Sequence, residues 1–210
     1  MIKKKIFKYN FKKGNNDNDF YTNNTNIDAF HELLNNVNNK LIFLTGPKKS
    51  GKSLLSQIWL NKNHAIKYNR NFEYIIKSKQ NVLIDNIENN LNEEEVFHII
   101  NHCNAYNLKI LINSNYNIDE LDISLPDLIS RLKIFSFCII NKPDDDMLLN
   151  ILTKLFVEKQ FIINSNDIFK FIIRRSNRSY EEIINMVDKL DTLSMEKKRQ
   201  LTIPLIKEIL

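Results

Sequence analysis

Apolar positions along the first 140 or so residues fall into two alternating patterns. After Asn26, DAFHELLNNV has the three-and-four spacing of a short helix, and KLIFLT (40–45) is an unbroken apolar run of strand length. SLLSQIWLNK returns to helical spacing. AIKY and EYII read as short strands, and VLI (82–84) is an apolar run that ends at Asp85. EEEVFHIINHCNAYN is helical by period, LKILIN is a second buried-strand run, LPDLISRL is a short helix from Pro126, and FSFCIIN is a last strand. Strands and helices that alternate in this way predict an α/β unit with a mostly parallel sheet covered by helices.

The pattern changes at Pro143. A proline followed by Asp144, Asp145 and Asp146 is a helix-start signal, and DMLLNILTKLFVEK, NDIFKFIIRR, SYEEIINMVDKLDTL and TIPLIKEIL beyond it all carry helical spacing. The expected organisation is a flexible basic and aromatic arm over 1–25, an α/β domain over 26–142 and a small all-helical domain over 143–210.

Composition narrows the classes. The 210 residues are 43% hydrophobic and 26% charged, with no window near the roughly 18 uncharged apolar residues of a membrane span, so transmembrane and disordered readings fall away. Thirty Lys and Arg against 25 Asp and Glu leave a net charge of +5, which is modest for a nucleic-acid binder. MIKKKIFKYNFKKG lacks the uninterrupted apolar core of a secretory signal. Cys103 and Cys138 stand alone in apolar surroundings, as buried thiols of a reducing cytosol do. The chain is rich in asparagine and holds 3 glycines, so each glycine marks a backbone position that other residues tolerate badly.

Two of those glycines lie in GPKKSGKS (46–53), which satisfies G-x-x-x-x-G-K-[ST] between an expected strand and an expected helix. Gly46, Pro47, Lys48, Lys49, Ser50 and Gly51 would curl into a nest of backbone N–H groups facing phosphate oxygens. Lys52 would supply a cation to the β and γ oxygens, and Ser53 a hydroxyl to Mg²⁺. VLIDNIE places Asp85 at the end of another strand, where a carboxylate holds the metal side. The next residue is Asn86, where hydrolytic P-loop ATPases usually carry a second acid. An amide cannot accept the proton of an attacking water, so weak intrinsic turnover is expected, with Glu88 a displaced substitute.

Asn113, at the end of LKILIN, is either a polar group beside the γ-phosphate or an ordinary strand-end asparagine. Arg131 on LPDLISRL is a surface charge, an internal ion pair or a finger offered to another subunit's phosphate. His98 and His102 have the i, i+4 spacing of zinc ligands but no third ligand and no H-E-x-x-H, which favours packing. Arg174, Arg175 and Arg178 form a basic cluster whose default is a solvated face.

In that order, P-loop, strand-end Asp, polar strand end, Arg-bearing helix and helical lid, the chain resembles the DnaA/Hda family of AAA+ ATPases. It is most similar to the Hda-type regulatory inactivators of replication initiation, in their alphaproteobacterial form. The residues that carry this are DFYTNNTN (19–26), GPKKSGKS (46–53), LIDNIE (83–88), EEEVFHIINHCNAYNLKILIN (93–113), LPDLISRL (125–132), SNRSYEEII and LTIPLIKEIL (201–210).

The resemblance implies an AAA+ core with a helical lid, bound ADP or ATP with Mg²⁺, and a cytoplasmic role. It implies association with the DNA-loaded polymerase sliding clamp and with the DnaA initiator, whose bound ATP is hydrolysed with Arg131 as a finger in trans. Homo-oligomers are compatible with it. Clamp binding would fall to Ile6, Phe7, Tyr9 and Phe11, although the family's amino-terminal peptide resembles Q-L-x-L-x-F and the Gln is missing here. The lid's nucleotide-sensing Arg would be Arg178, about one helical turn before the expected place, where Glu181 stands. The short segment before VLIDN implies a trimmed sheet and helix layer. No helix-turn-helix follows the lid within the 210 residues, which argues against an initiator that reads origin DNA. Two other readings stay open: a self-sufficient AAA+ ATPase such as a helicase loader, and a tethering scaffold with a vestigial nucleotide site.

Overall fold

The computed structural model of the chain describes residues 20–36, 38–89, 92–162 and 167–209. These divide into two compact units, Thr22–Lys142 and the chain from Pro143 onward together with Phe20 and Tyr21.

In the first unit α1 (Ile27–Asn35) leads into β1 (Leu41–Thr45), and the glycine-bearing turn leads into α2 (Lys52–Lys62). Then follow β2 (Ile66–Lys67), α3 (Phe72–Ser78), β3 (Val82–Ile84), α4 (Glu93–Ala105), β4 (Ile110–Ser114), α5 (Pro126–Leu132) and β5 (Ser136–Ile139). Among the described residues the strands form one parallel sheet in the order β2-β3-β4-β1-β5. The expected parallel α/β architecture is therefore present. β1, β3 and β4 are apolar almost throughout because both of their faces are covered, as buried parallel strands require. Phe43, Ile84 and Ile112 pack in one core with Val96, Ile99 and Leu128 from the covering helices.

One element differs from the sequence reading. EYII is part of helix α3, not a strand. The Asn71 side chain accepts from the Tyr74 N–H at 3.1 Å and caps the helix, and Lys77 pairs with Glu73 one turn earlier at 3.0 Å. In so short an apolar run the period does not separate helix from strand, and the asparagine cap decides. Other asparagines work the same way: Asn92 caps α4 by accepting from the Glu95 N–H.

The second unit consists of α6 (Asp145–Glu158), α7 (Asp167–Arg175), α8 (Tyr180–Lys197) and α9 (Ile203–Ile206) among the described residues. Asp144 caps α6 through the Met147 N–H at 2.8 Å, and Ser179 caps α8 through the Glu182 N–H at 3.2 Å. Leu148, Leu152, Phe156, Phe169, Ile172 and Val187 form its own core, so the helical spacing read from the sequence does face inward. Phe20 and Thr25, within the stretch read as a flexible arm, are buried. No described helix is long and apolar enough to cross a membrane.

Candidate functional site

The carboxyl ends of β1, β3 and β4 meet at one edge of the sheet, the position at which open α/β sheets bind ligands. β4 lies between the other two, so residues that are far apart in sequence are interleaved: Leu44 pairs with Asn113, and Ile84 with Ile112.

The turn from β1 into α2 has the shape that its glycines require. A Cβ on Gly46 would stand 2.6 Å from the main-chain oxygen of Ile140 and 2.9 Å from its Cβ, which no side chain tolerates. Gly51 has φ +93° at the N-terminus of α2, and Lys49 is also left-handed at φ +60°. The Ser50 N–H donates to the Pro47 oxygen at 3.3 Å and closes the turn. Lys48 and Lys49 are exposed, whereas Ser50 and Lys52 are buried.

The Lys52 ammonium donates to the Gly46 and Pro47 oxygens at 2.8 and 2.7 Å, so it is held by loop carbonyls. Burial pushes its pKa down from 10.5 to about 8, against the opposing pull of Glu88 and Asp85. A buried cation whose short bonds go only to neutral carbonyls gains when an anion arrives. Beside it, the Ser50 hydroxyl oxygen is buried without a hydrogen-bond partner. Both observations fit a phosphate-binding turn.

Asp85 follows β3. Asn113 Nδ2 donates to its Oδ1 at 2.7 Å, Lys67 Nζ to its Oδ2 at 2.5 Å, and the Ser53 hydroxyl also bonds to it. Burial alone would raise this carboxyl, but the bonds from Lys67, Asn113 and Ser53 and the Lys67 charge outweigh it and hold the pKa below the ordinary value. Asn86 is left-handed at φ +51°, a conformation that asparagine adopts more readily than most residues, and its N–H donates to Asn113 Oδ1 at 2.7 Å.

Asn113 itself is fully buried. Its second N–H donates to Ser56 Oγ at 2.8 Å, so both N–H groups are spent inside the protein. This strand-end asparagine thus ties α2 and the end of β3 to β4. Asn115, two positions on, is half-buried. Its main-chain and side-chain N–H groups both reach Glu88 Oε1, at 3.0 and 2.5 Å, while Glu88 Oε2 is buried without a partner. Sequence reading missed Lys67, Ser56 and Asn115. Asn115 shares its strand end with Asn113, but nothing in the pattern of AIKY marks Lys67.

Arg131 lies on the last turn of α5, which Leu128 and Leu132 anchor in the core. It is half-buried, and among the described residues its guanidinium makes no hydrogen bond or ion pair. Arg178 is in the second unit, between α7 and α8, left-handed at φ +53° and ion-paired with Asp145 at 3.3 Å. Arg175 lies over the Phe171 ring. His98 packs against Phe72 and Phe97, and His102 against Tyr106. Cys103 and Cys138 are buried free thiols, pushed up to about 12 chiefly by burial. Ile6, Phe7, Tyr9 and Phe11 lie outside the described residues.

Comparison with known proteins agrees with this geometry. Residues 145–210 match the family model of the Hda lid domain. A Haemophilus influenzae protein described only as uncharacterized is 24% identical over 204 residues, covering 88% of this chain and 87% of its own. Among solved structures, domain III of DnaA from Thermotoga maritima superposes with a TM-score of 0.70 at 16% identity, covering 91% of this chain and 93% of that one. AMPPCP-bound DnaA from Aquifex aeolicus gives 0.66 at 17% identity over 85% of this chain. The chain spans 65% of that longer DnaA. At such identities the likeness establishes the fold. The chain thus joins a carboxyl-terminal segment similar to the Hda lid domain to a parallel sheet with the fold of DnaA domain III.

Proposed function

We propose that the chain is a nucleotide-bound regulator of replication initiation that completes the ATPase site of a DnaA-type partner. The Hda lid and the DnaA-like fold support a DnaA-related regulator. The particular activity rests on Arg131, a half-buried guanidinium at a helix end that no group among the described residues engages. A finger of this kind stabilises charge that develops on a phosphoryl group held by another subunit.

On this reading the chain's own nucleotide, ADP or ATP, serves assembly more than turnover. Lys52 is the group that meets its phosphates, with the N–H groups of 46–51 around them. Ser53 and Asp85 stand at the metal side of the site, with the Lys67 ammonium on the same Asp85 carboxylate. Asn86 contributes an amide where a proton acceptor is needed, and its left-handed backbone turns the chain away after Asp85. The sliding clamp is the second proposed partner, through Ile6, Phe7, Tyr9 and Phe11.

The test mixes the chain with its cognate DnaA loaded with labelled ATP and with clamp loaded on DNA. Wild type should accelerate hydrolysis, and Arg131→Ala should lose at least about a hundredfold of that acceleration, because fingers contribute about a thousandfold or more. Arg131→Ala should keep wild-type stability and ADP affinity. Equal acceleration by both proteins removes the finger assignment.

A further inference from the structure

Asp85 occupies the place of a metal-side acid, yet its carboxylate already carries a cation. Lys67 Nζ lies 2.5 Å from Oδ2, Asn113 holds Oδ1, and the Asp85 side chain is 13% exposed. The pairing follows from the sheet. β2 lies beside β3 with Lys67 opposite Leu83, so a lysine at the end of this two-residue edge strand reaches forward along its neighbour to the residue that follows it. An edge-strand lysine that merely deters aggregation would point into water. This one is 53% exposed along its side chain, yet its ammonium rests on the Asp85 carboxylate.

Charge gives the arrangement a consequence. Lys52 and Lys67 balance Asp85 and Glu88 before any ligand enters. Mg²⁺ dehydrates reluctantly and demands near-octahedral oxygen geometry, so a hydrated Mg²⁺ reaching Asp85 must displace an ammonium already in contact. Lys67 already neutralises this carboxylate, so the site gains less charge balance from a divalent ion here.

We propose that Lys67 is a built-in cation that stands in for the metal at Asp85, so that the chain holds a nucleoside diphosphate with little dependence on Mg²⁺. The proposal rests on the nucleotide-site reading above. Lys67 is on this view a positioning residue: it acts through Asp85 and sets what the site demands of its ligand.

The experiment titrates the full chain with ADP by calorimetry, in excess Mg²⁺ and in EDTA, for wild type, Lys67→Met and Lys67→Arg. Wild-type dissociation constants should agree within about threefold between the two conditions, whereas Lys67→Met should bind about tenfold or more tightly with Mg²⁺ than without. Lys67→Arg keeps the charge and should behave as wild type, which separates loss of the cation from loss of packing. A wild type that loses about tenfold or more in EDTA overturns the proposal and leaves the nucleotide reading standing. So does a folded Lys67→Met no more sensitive to Mg²⁺ than wild type. A wild type that binds ADP in neither condition overturns both.

Discussion

The Asn113 amide joins two strand ends: its N–H donates to the Asp85 carboxylate at 2.7 Å, and its carbonyl accepts the main-chain N–H of Asn86 at the same distance. A third bond, to Ser56, anchors α2 to the same point. The three elements that shape the candidate site thus share one buried side chain.

Replacing that side chain strands its partners. Asn113→Ala leaves the Asn86 N–H, the Ser56 hydroxyl and one Asp85 oxygen short of a bond in a buried setting, and should cost about 2–4 kcal/mol of unfolding free energy. Urea unfolding of the variant measures this. A loss below about 0.5 kcal/mol would mean that water or a shifted neighbour takes over the bonds.

Gly46 tests the turn. In Gly46→Ala the new methyl meets the Ile140 main-chain oxygen, which cannot move without disturbing the end of the sheet. Destabilisation of about 1–3 kcal/mol is expected, together with weakened ADP binding. Chemical denaturation and an ADP titration read the two effects, and an unchanged unfolding midpoint would contradict the close approach.

Lys52 gives the site a pH signature. Its pKa is about 8 in the fold against an ordinary 10.5, so between those values the unfolded chain binds more protons than the folded one. Stability from this residue therefore rises as pH rises through that window. Ligand affinity should move the other way, since phosphate needs the ammonium: ADP binding should weaken above about pH 8 and take up a proton near there. Calorimetry in two buffers of different ionisation enthalpy detects that proton, and Lys52→Met should abolish the uptake. Proton-neutral binding by wild type in this range would show that Lys52 does not meet the phosphates.

Local order wrote much of this molecule directly. GPKKSGKS dictates its turn because few other sequences tolerate the backbone at Gly46 and Gly51, and the runs LIFLT, VLI and ILINS are apolar because a covered parallel strand must be. The spacing of the lid helices and the acids after Pro143 likewise carry their own instructions. Only the tertiary structure put β4 between β1 and β3, which makes Asn113 a buried tie, and set β2 in a register that delivers Lys67 to Asp85. EYII became a helix through a cap on a neighbouring asparagine. Backbone geometry and burial are requirements on each segment alone, so they leave marks in its residues. Which strand lies beside which depends on how whole segments pack, and a lysine at an edge reads the same whether it meets water or a carboxylate.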